Sequence, residues 1–496
     1  MSELQTKRPA PAWFNLALQL LPRSQFVRSF LVVLTGTVLS RAVLILAMPM
    51  LARLYDPASI GSWQLFTGLL QILSSIVCAR YELAVMLPKS KQQAASLFWA
   101  SLVVSSHVTC LAAIAITIWP ERLEMLLGDV AVRPLFWSLP ILVAMMGIQQ
   151  ATTYWLNRHE AFSSIAGANV VRSVGIVAIP LAITLVTRGN VTHLIVGTIT
   201  GHFLATLMFL WSARRQDAAA LLAGLSWPKI WTAAVEHRAY PLHVATSALI
   251  TMGASRCVLF LLAIYSSSHT VGLYAMAASL TFLPVTFISQ SLSQVLYPRI
   301  ARDFGVQRLE SFTKRVLYIL VIVAVPPAVL FSFHAPVLFE TILGDQWREA
   351  GEYATWLTGP SFFVLAGAWL VRFLDVAGKQ RVGLVLEVTY SLLSIVLLFG
   401  LLHSNCTPLT SLAAYCLVTV AYNMIWMCVV FRVVHFRLAQ LQGPFATLAV
   451  LVFASLTVCL ATSNRDASIP SLLISTALVL LLQAIAAYLY LGVKRA

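Results

Sequence analysis

The sequence predicts an all-α integral membrane protein with about 14 transmembrane helices. Of its 496 residues, 59% are hydrophobic and only 10% are charged, whereas a soluble domain has about 25% charged residues. The apolar residues also form blocks of about 20 residues, the length that a helix needs to cross a bilayer. Blocks such as 472–491 are continuously apolar and lack the alternation of barrel strands, so the spans are predicted to be helices.

Fourteen apolar spans follow one another along the chain. Their predicted ranges are 30–51, 60–79, 94–118, 135–156, 162–187, 191–212, 242–264, 271–297, 315–334, 353–374, 382–402, 409–431, 445–462 and 470–491. An even number of spans places both termini on one side of the membrane. If that side is the cytoplasm, 23 Lys and Arg residues lie inside, six lie outside and four lie within spans. Because cytoplasmic loops are enriched in Lys and Arg, this distribution predicts that both termini are cytoplasmic.

A weak internal repeat divides the chain into two halves. The first span contains SRAVL at 40–44 and the seventh contains SRCVL at 255–259; glycine and a nearby aromatic residue follow each span, at Gly61 and Gly272. Repeats with an even number of spans share one orientation and are related by an axis along the membrane normal. The predicted organisation is a cytoplasmic N-terminal segment (1–29), an N-terminal six-helix bundle (30–213), a cytoplasmic linker (214–241), a C-terminal six-helix bundle (242–432), and two additional transmembrane helices with a short tail (433–496).

Motifs for covalent or nucleotide-driven chemistry are absent from the sequence. There is no G-x-x-x-x-G-K-[ST] loop and no H-E-x-x-H zinc motif, and the Ser and His residues form no readable triad. We therefore predict no catalytic residues, no metal ligands and no cofactor. The net charge of +15 lies mainly at helix ends, where it sets topology and attracts anionic membrane lipids, so it does not indicate a nucleic-acid partner.

Four arginines lie inside apolar spans: Arg41, Arg172, Arg256 and Arg372. A central Arg costs about 2.5–3.5 kcal/mol on insertion scales and usually faces a wet cavity or a partner. Its guanidinium holds phosphate oxygens bidentately, so these residues are candidates for binding a lipid pyrophosphate in a cationic lumen. Asp375 stands at i,i+3 spacing from Arg372 and favours an ion pair there. Arg41 and Arg256 have no acid within a helical turn and occupy matching repeat positions.

Three acidic residues are candidates for binding a coupling ion, H⁺ or Na⁺, or for pairing with a basic residue. Asp375 and Glu387 lie in or near spans, and Glu82 stands just beyond the second span. Carboxylates in such places serve either role. Basic residues of the predicted cytoplasmic side lie close by in the sequence, so an ion pair is the favoured interpretation for all three.

Four segments resemble the polysaccharide flippases, often called Wzx, of the multidrug/oligosaccharidyl-lipid/polysaccharide exporter (MOP) superfamily. The segments are LARLYDPASIGSWQLF (51–66), RYELAVMLP (80–88), LYPRIAR (296–302) and ILGDQWREAGEYA (342–354). They occur in the family's order within the first 380 residues, and the last four spans carry no recognised motif. The motif residues at loop ends, for which the resemblance implies gate or scaffold positions, are Arg80, Tyr81, Glu82, Trp347 and Tyr353.

The resemblance implies a fold and a function. The expected fold is two six-helix bundles arranged as a V around a central cavity, plus two extra helices. The expected ligand is an undecaprenyl-pyrophosphate-linked oligosaccharide, moved by alternating access from the cytoplasmic to the periplasmic face of a bacterial inner membrane. Arg41 and Arg256 are the candidates for the cationic lumen of such flippases. Polysaccharide polymerase and chain-length or export proteins, as in O-antigen or exopolysaccharide synthesis, are the expected protein partners.

Three other interpretations stay open at this point. A multidrug/cation antiporter of the same superfamily would favour lumenal acids, whereas the deep spans here are richer in Arg. A membrane glycan polymerase or ligase would typically carry a large periplasmic loop, whereas the predicted loops are short. A scaffold for polysaccharide assembly would have no need of intramembrane arginines.

Overall fold

All regular structure in the described part of the chain is helical. The computed structural model describes residues 25–127, 135–305, 307–462 and 469–492. The α-helices are α1 (Gln25–Leu54), α2 (Pro57–Ser74), α3 (Tyr81–Ala84), α4 (Lys91–Ile118), α5 (Pro120–Leu127), α6 (Ser138–Arg158), α7 (Phe162–Thr184), α8 (Val191–Gly224), α9 (Trp227–Glu236), α10 (Thr246–Tyr265), α11 (Ser268–Asp303), α12 (Gln307–Leu343), α13 (Arg348–Gly367), α14 (Val371–Val376), α15 (Gln380–His403), α16 (Pro408–Val433), α17 (Ala439–Thr462) and α18 (Ile469–Gly492). A π-helical turn, Tyr240–Ala245, precedes α10, and 3₁₀ turns at Asp345–Trp347 and Ala368–Leu370 flank α13.

A helix overlaps each predicted span, although several ends differ: α2 ends at Ser74 rather than at 79, and α8 and α12 extend well beyond their predicted ranges. Within the described residues, eleven are long and apolar enough to cross a membrane: Lys91–Ile118, Phe162–Thr184, Val191–Gly224, Tyr240–Tyr265, Ser268–Asp303, Leu309–Leu343, Asp345–Val376, Gln380–His403, Pro408–Val433, Ala439–Thr462 and Ser471–Tyr488. The helices α1, α2 and α6 occupy the other three predicted ranges. The chain is therefore an all-helical, multi-pass membrane protein, as predicted.

Polar residues between the apolar blocks fix where several helices begin. Ser90, Asn190, Ser267 and Thr407 each accept a hydrogen bond from a backbone N–H two or three residues later. A side-chain oxygen at this position satisfies an N–H that has no partner inside the helix. Short polar connections of this kind thus end one apolar block and start the next.

The chain forms two compact units. The first is made of the described residues within Met1–Met48, Leu69–Pro120 and Ala131–Met252, and the second of those within Pro49–Gly68, Glu121–Val130 and Gly253–Ala496. The end of α1 and the first part of α2 belong to the second unit, although the sequence repeat assigns them to the N-terminal bundle.

In the first unit, α4, α6, α7 and α8 pack against one another. Small residues allow the backbones to approach closely, as in membrane helix pairs. Gly175 of α7, for example, faces the backbone of Gly201 of α8. Apolar side chains complete the α6–α7–α8 contact, among them Leu156, Ala168 and Phe209.

In the second unit, α11, α12, α13, α16 and α17 surround a core rich in aromatic side chains. Trp369, Phe373 and Phe431 are fully buried, and Phe436 packs edge-to-face on Phe373 and Phe431. Helix α18 joins this core through the His334 Nε2 to Ser475 Oγ hydrogen bond of 2.9 Å. These contacts attach the two C-terminal helices to the second unit.

The predicted linker 214–241 is helical and packed. Helix α8 continues past the predicted end of its span, with a break in helical geometry at Asp217, and α9 follows it. Trp99 Nε1 of α4 donates to the Leu221 carbonyl at 2.8 Å, and Gln93 Nε2 donates to Glu236 Oε2 at 2.9 Å. The linker is therefore held against the start of α4.

Helix α9 has an apolar face that no described residue covers. Ile230 and Ala233 are buried, whereas Trp227 and Trp231 are 61% and 63% exposed. Because α9 connects two helices long enough to cross the membrane, it lies near the bilayer surface. An amphipathic helix bearing Trp on its apolar face is typical of the membrane interface.

We expect a spin label at position 231 to contact lipid and one at position 232 to contact water. Trp231→Cys and Thr232→Cys variants, made without the native cysteines and reconstituted in anionic nanodiscs, provide the matched pair. Collision with oxygen should dominate at 231, and collision with a water-soluble nickel complex at 232. Equal access of the nickel complex to both labels would show that this face of α9 is open to water.

Candidate functional site

Arg256 lies within the apolar helix α10 and is half-buried. Its aliphatic stem lies against Gly68 of α2. Tyr274 of α11 lies within electrostatic range of its guanidinium. Arg256 and Tyr274 thus place a cation and a phenol together inside the second unit. Arg41, its repeat equivalent, lies in α1, and its side chain is outside the described part of the chain.

A tyrosine cluster, defined here as Tyr274, Tyr390, Tyr415 and Tyr422, extends from Arg256 across α11, α15 and α16. The Tyr390 hydroxyl lies 2.9 Å from Thr419 Oγ1 and 3.4 Å from the Tyr415 hydroxyl. The rings of Tyr390 and Tyr422 stack with centroids 4.1 Å apart. The cluster therefore offers hydroxyl groups and aromatic faces in the same unit as a half-buried cation.

Glu387 borders the tyrosine cluster. It stands one helical turn before Tyr390 on α15 and interacts electrostatically with Tyr390 and Tyr422. Glu387 is exposed on α15, and no Lys or Arg of the described ranges pairs with it. The ion pair that was the favoured interpretation for Glu387 is therefore not formed with any described residue.

Arg372 forms the ion pair that its spacing from Asp375 predicts. Arg372 Nη1 lies 2.9 Å from Asp375 Oδ2, and Nε donates to Ser293 Oγ at 3.1 Å. The guanidinium also faces the ring of Tyr297. The charge of Arg372 is thus paired with Asp375, and both side chains of this ion pair are partly exposed.

We expect the Arg372–Asp375 pair to contribute less than about 1 kcal/mol to stability, as partly exposed pairs do. Thermal unfolding of Asp375→Asn, Arg372→Gln and the double variant forms a mutant cycle that isolates the pair. A coupling energy well above this limit would instead indicate that the pair is desolvated in the membrane.

Arg172 belongs to a buried polar network in the first unit. Its Nη1 donates to Gln149 Oε1 at 3.3 Å. Gln149 Nε2 in turn donates to the His202 carbonyl at 2.9 Å and to Thr206 Oγ1 at 2.8 Å. The network joins α6, α7 and α8, and its hydrogen bonds fix the position of this guanidinium inside an apolar bundle.

The loop motifs at 51–66 and 342–354 contact each other, although nearly 300 residues separate them. Trp347 is 0% exposed, and its Nε1 donates to the Ala52 carbonyl at 2.7 Å. Gln346 Nε2 donates to the same carbonyl at 2.8 Å. Arg53 donates to the Thr341 and Ile342 carbonyls. We call this set of hydrogen bonds the loop contact; Tyr353, also buried, lies just after it in α13.

A reciprocal glycine pair lies beside the loop contact. A Cβ atom on Gly61 would overlap the Ser268 carbonyl oxygen, and a Cβ on Gly272 would overlap the Pro57 carbonyl oxygen. Ser268 precedes Gly272 by four residues, as Pro57 precedes Gly61. The starts of α2 and α11 therefore cross in a two-fold symmetric manner. This symmetry supports the repeat that the sequence predicts at these two glycines.

The RYELAVMLP motif forms a tightly held loop in the first unit. Ala79 and Arg80 both have positive φ angles, 46° and 65°, which non-glycine residues adopt at a cost. The Tyr81 hydroxyl donates to the Ala234 carbonyl of α9 at 3.0 Å. Arg158 donates to the carbonyls of Val85 and Pro88. The loop is thus bonded to both α6 and α9.

Glu82 is buried within this loop. The residue is 1% exposed, and its nearest cation, Arg80 Nη1, lies 3.9 Å from Oε1. The other oxygen, Oε2, has no hydrogen-bond partner in the described ranges. Burial raises the pKa of Glu82 above its ordinary value, and its own backbone N–H and Arg80 offset this only in part. The predicted ion pair is present but at the limit of contact distance.

Sequence reasoning missed the tyrosine cluster and the partners of Arg172. Tyr415, Thr419 and Tyr422 have i,i+4,i+7 spacing and so share one face of α16, a pattern visible in the sequence. Gln149, with Gln150 beside it, likewise places a side-chain amide in the middle of the apolar α6. Across the described ranges, no group of three or more His, Cys, Asp or Glu side chains is arranged to hold a metal ion.

Comparison with known proteins identifies the family. Over 94% of this chain and all of the other, the fold matches a solved structure titled "Lipid II flippase MurJ, inward closed conformation", with a TM-score of 0.70 and 14% sequence identity. No curated protein sequence matches the chain. The family described as polysaccharide biosynthesis protein matches residues 50–352, which include most of the four motif segments and confirm the resemblance they carry. The chain belongs to this polysaccharide biosynthesis family, of the MOP type.

Proposed function

We propose that this protein is a flippase for an undecaprenyl-pyrophosphate-linked oligosaccharide in a bacterial inner membrane. It moves the repeat unit from the cytoplasmic to the periplasmic face for the synthesis of a surface or exported polysaccharide. Fourteen spans with both termini in the cytoplasm remain the topology that fits the distribution of Lys and Arg. The family and the flippase-like fold support a lipid-linked sugar as substrate.

The observation that carries the proposal is Arg256 beside the tyrosine cluster. A guanidinium in an apolar helix suits a pyrophosphate, which it can hold through two parallel hydrogen bonds. Tyrosine hydroxyls and rings suit a sugar, whose hydroxyl groups need partners and whose apolar face packs on aromatic rings. The second unit brings both kinds of group together. An antiporter for cationic drugs would have no use for a cation at this place.

The mechanism we propose is alternating access without nucleotide hydrolysis. Arg256, with Arg41 as its repeat equivalent, holds the pyrophosphate while the glycan crosses a wet cavity and the lipid tail stays in the bilayer. The loop contact joins the first predicted outside loop to the loop before α13, and the glycine pair joins it to the start of α11. Both therefore lie on the predicted periplasmic side. They close that side while the binding site opens to the cytoplasm, and they separate when it opens to the periplasm.

Reconstituted protein tests the proposal directly. Proteoliposomes containing a fluorescent undecaprenyl-pyrophosphate disaccharide are treated with a membrane-impermeant reducing agent, which bleaches the outer leaflet only. A flippase makes nearly all of the probe accessible, whereas empty liposomes protect about half. Protection of half the probe in the presence of folded protein would contradict the proposed function.

A further inference from the structure

Among the three candidate acids, the structure distinguishes Glu82. Asp375 pairs with Arg372 at 2.9 Å, and Glu387 is exposed on α15. Glu82 is almost completely buried, and one of its carboxylate oxygens meets no hydrogen-bond donor of the described ranges. A buried carboxylate without full compensation is more stable as the neutral acid. The loop seen here thus encloses a carboxyl group that favours a bound proton.

The surroundings of Glu82 provide little countercharge. Arg80 Nη1 lies 3.9 Å from Glu82 Oε1, and 28% of the Arg80 side chain is exposed. Cys78 and Tyr154 also lie within electrostatic range of Glu82, but neither side chain can carry a positive charge. The other ionisable residues on or beside the loop and on the elements that contact it are Tyr81, Lys89, Lys91, His107, Cys110, Arg158, Lys229, Glu236, Tyr240 and His243. Arg158 binds backbone carbonyls and Lys91 binds Asp217. Among the described residues, only Arg80 comes within ion-pair distance of Glu82. The environment of Glu82 is therefore short of positive charge.

Backbone strain and a small set of hydrogen bonds together define the closed position of this loop. The two left-handed residues Ala79 and Arg80 hold it under backbone strain, and the Tyr81 hydroxyl connects it to α9 through a single hydrogen bond. Breaking this bond and the two bonds from Arg158 to the Val85 and Pro88 carbonyls would let the two strained residues relax and bring Glu82 into water. Its carboxyl would then release the proton to the solvent on that side.

We propose that Glu82 is a proton-binding site that is occupied while the loop is closed and emptied when the loop opens. This inference rests on the proposed flippase function, because the proton is exchanged for the lipid-linked sugar. The proton moves between the Glu82 carboxylate and water, and no other bond changes. In this proposal the RYELAVMLP motif couples proton movement to transport of the lipid-linked sugar.

The first test compares the pH dependence of stability in Glu82→Gln and wild type. For a group whose folded pKa is raised, stability is fully present below the unfolded pKa and is lost as pH rises through the folded value. The melting temperature of wild type should therefore fall relative to Glu82→Gln as pH rises from about 5 to about 8. Glu236→Gln, which changes an exposed acid of α9, should track wild type. A difference that stays constant over this range would overturn the proposal.

The second test measures coupling in the proteoliposome assay with the undecaprenyl-pyrophosphate disaccharide probe. A pH gradient should change the flipping rate of wild type, and Glu82→Gln should flip at a rate that no longer responds to the gradient. An unchanged response in Glu82→Gln would overturn the proposal. If wild type fails to flip the probe, the flippase function is contradicted, and the pH dependence of stability still decides whether Glu82 binds a proton.

Discussion

Replacing Arg256 by Ala is expected to lower the flipping rate of a pyrophosphate-linked sugar roughly 10- to 100-fold. A hydrogen bond to a charged group contributes about 1.5–3 kcal/mol, and Ala removes both arms of the guanidinium. The rate in proteoliposomes, normalised to the amount of folded protein, is the measurement. Because α10 keeps its apolar contacts, the variant should still fold.

Two further variants separate the guanidinium from a simple positive charge. Arg256→Lys keeps the charge but loses the bidentate geometry, so an intermediate rate is expected. Arg372→Ala removes another intramembrane Arg that is already engaged by Asp375 and should reduce the rate much less. If Ala at both Arg41 and Arg256 left full transport, the assignment of these residues to the pyrophosphate would be wrong.

Replacing Gly61 by Leu is expected to abolish transport. The new side chain would overlap the Ser268 backbone oxygen, and backbone cannot move aside as a flexible side chain does. Overpacking typically costs about 1–3 kcal/mol, so the starts of α2 and α11 should separate and the loop contact should weaken. Transport and the exposure of Trp347 to a water-soluble quencher are the measurements.

The reciprocal geometry supplies the controls for this prediction. Gly272→Leu should have an effect of similar size, and the double variant should be no worse than either one, because both disrupt the same contact. Gly400 is also helical, but a Cβ there meets nothing within 4 Å, so Gly400→Ala should be active. Normal transport in Gly61→Leu would show that this helix crossing is not needed for the cycle.

Features that depend on nearby residues could be predicted from the sequence. Each predicted span overlaps a helix because a run of apolar residues both requires the membrane and satisfies its own backbone as a helix. The Arg372–Asp375 pair was predictable because i,i+3 residues are neighbours on any helix. Positions two apart do not face each other on a helix, so the distance between Arg80 and Glu82 could not be predicted.

Features that depend on distant residues could not be predicted. Each of the four motif segments can be recognised in the sequence, but their residues do not predict that Trp347 Nε1 donates a hydrogen bond to the Ala52 carbonyl. The tyrosine cluster was missed for a different reason: tyrosines of a membrane protein are usually assigned to the interface. Only the packing of α15 on α16 places the Tyr390 hydroxyl against Thr419.

The most direct test of the flippase function uses cells that lack this protein but still synthesise the lipid-linked repeat unit. The glycan is radiolabelled and then probed from the periplasmic side with a membrane-impermeant reagent. The proposed function predicts that single repeat units accumulate and are shielded from the reagent, because they stay on the cytoplasmic face. Accumulated units that react with the reagent would contradict it and point to a polymerase or ligase, and absence of accumulation would favour the drug antiporter.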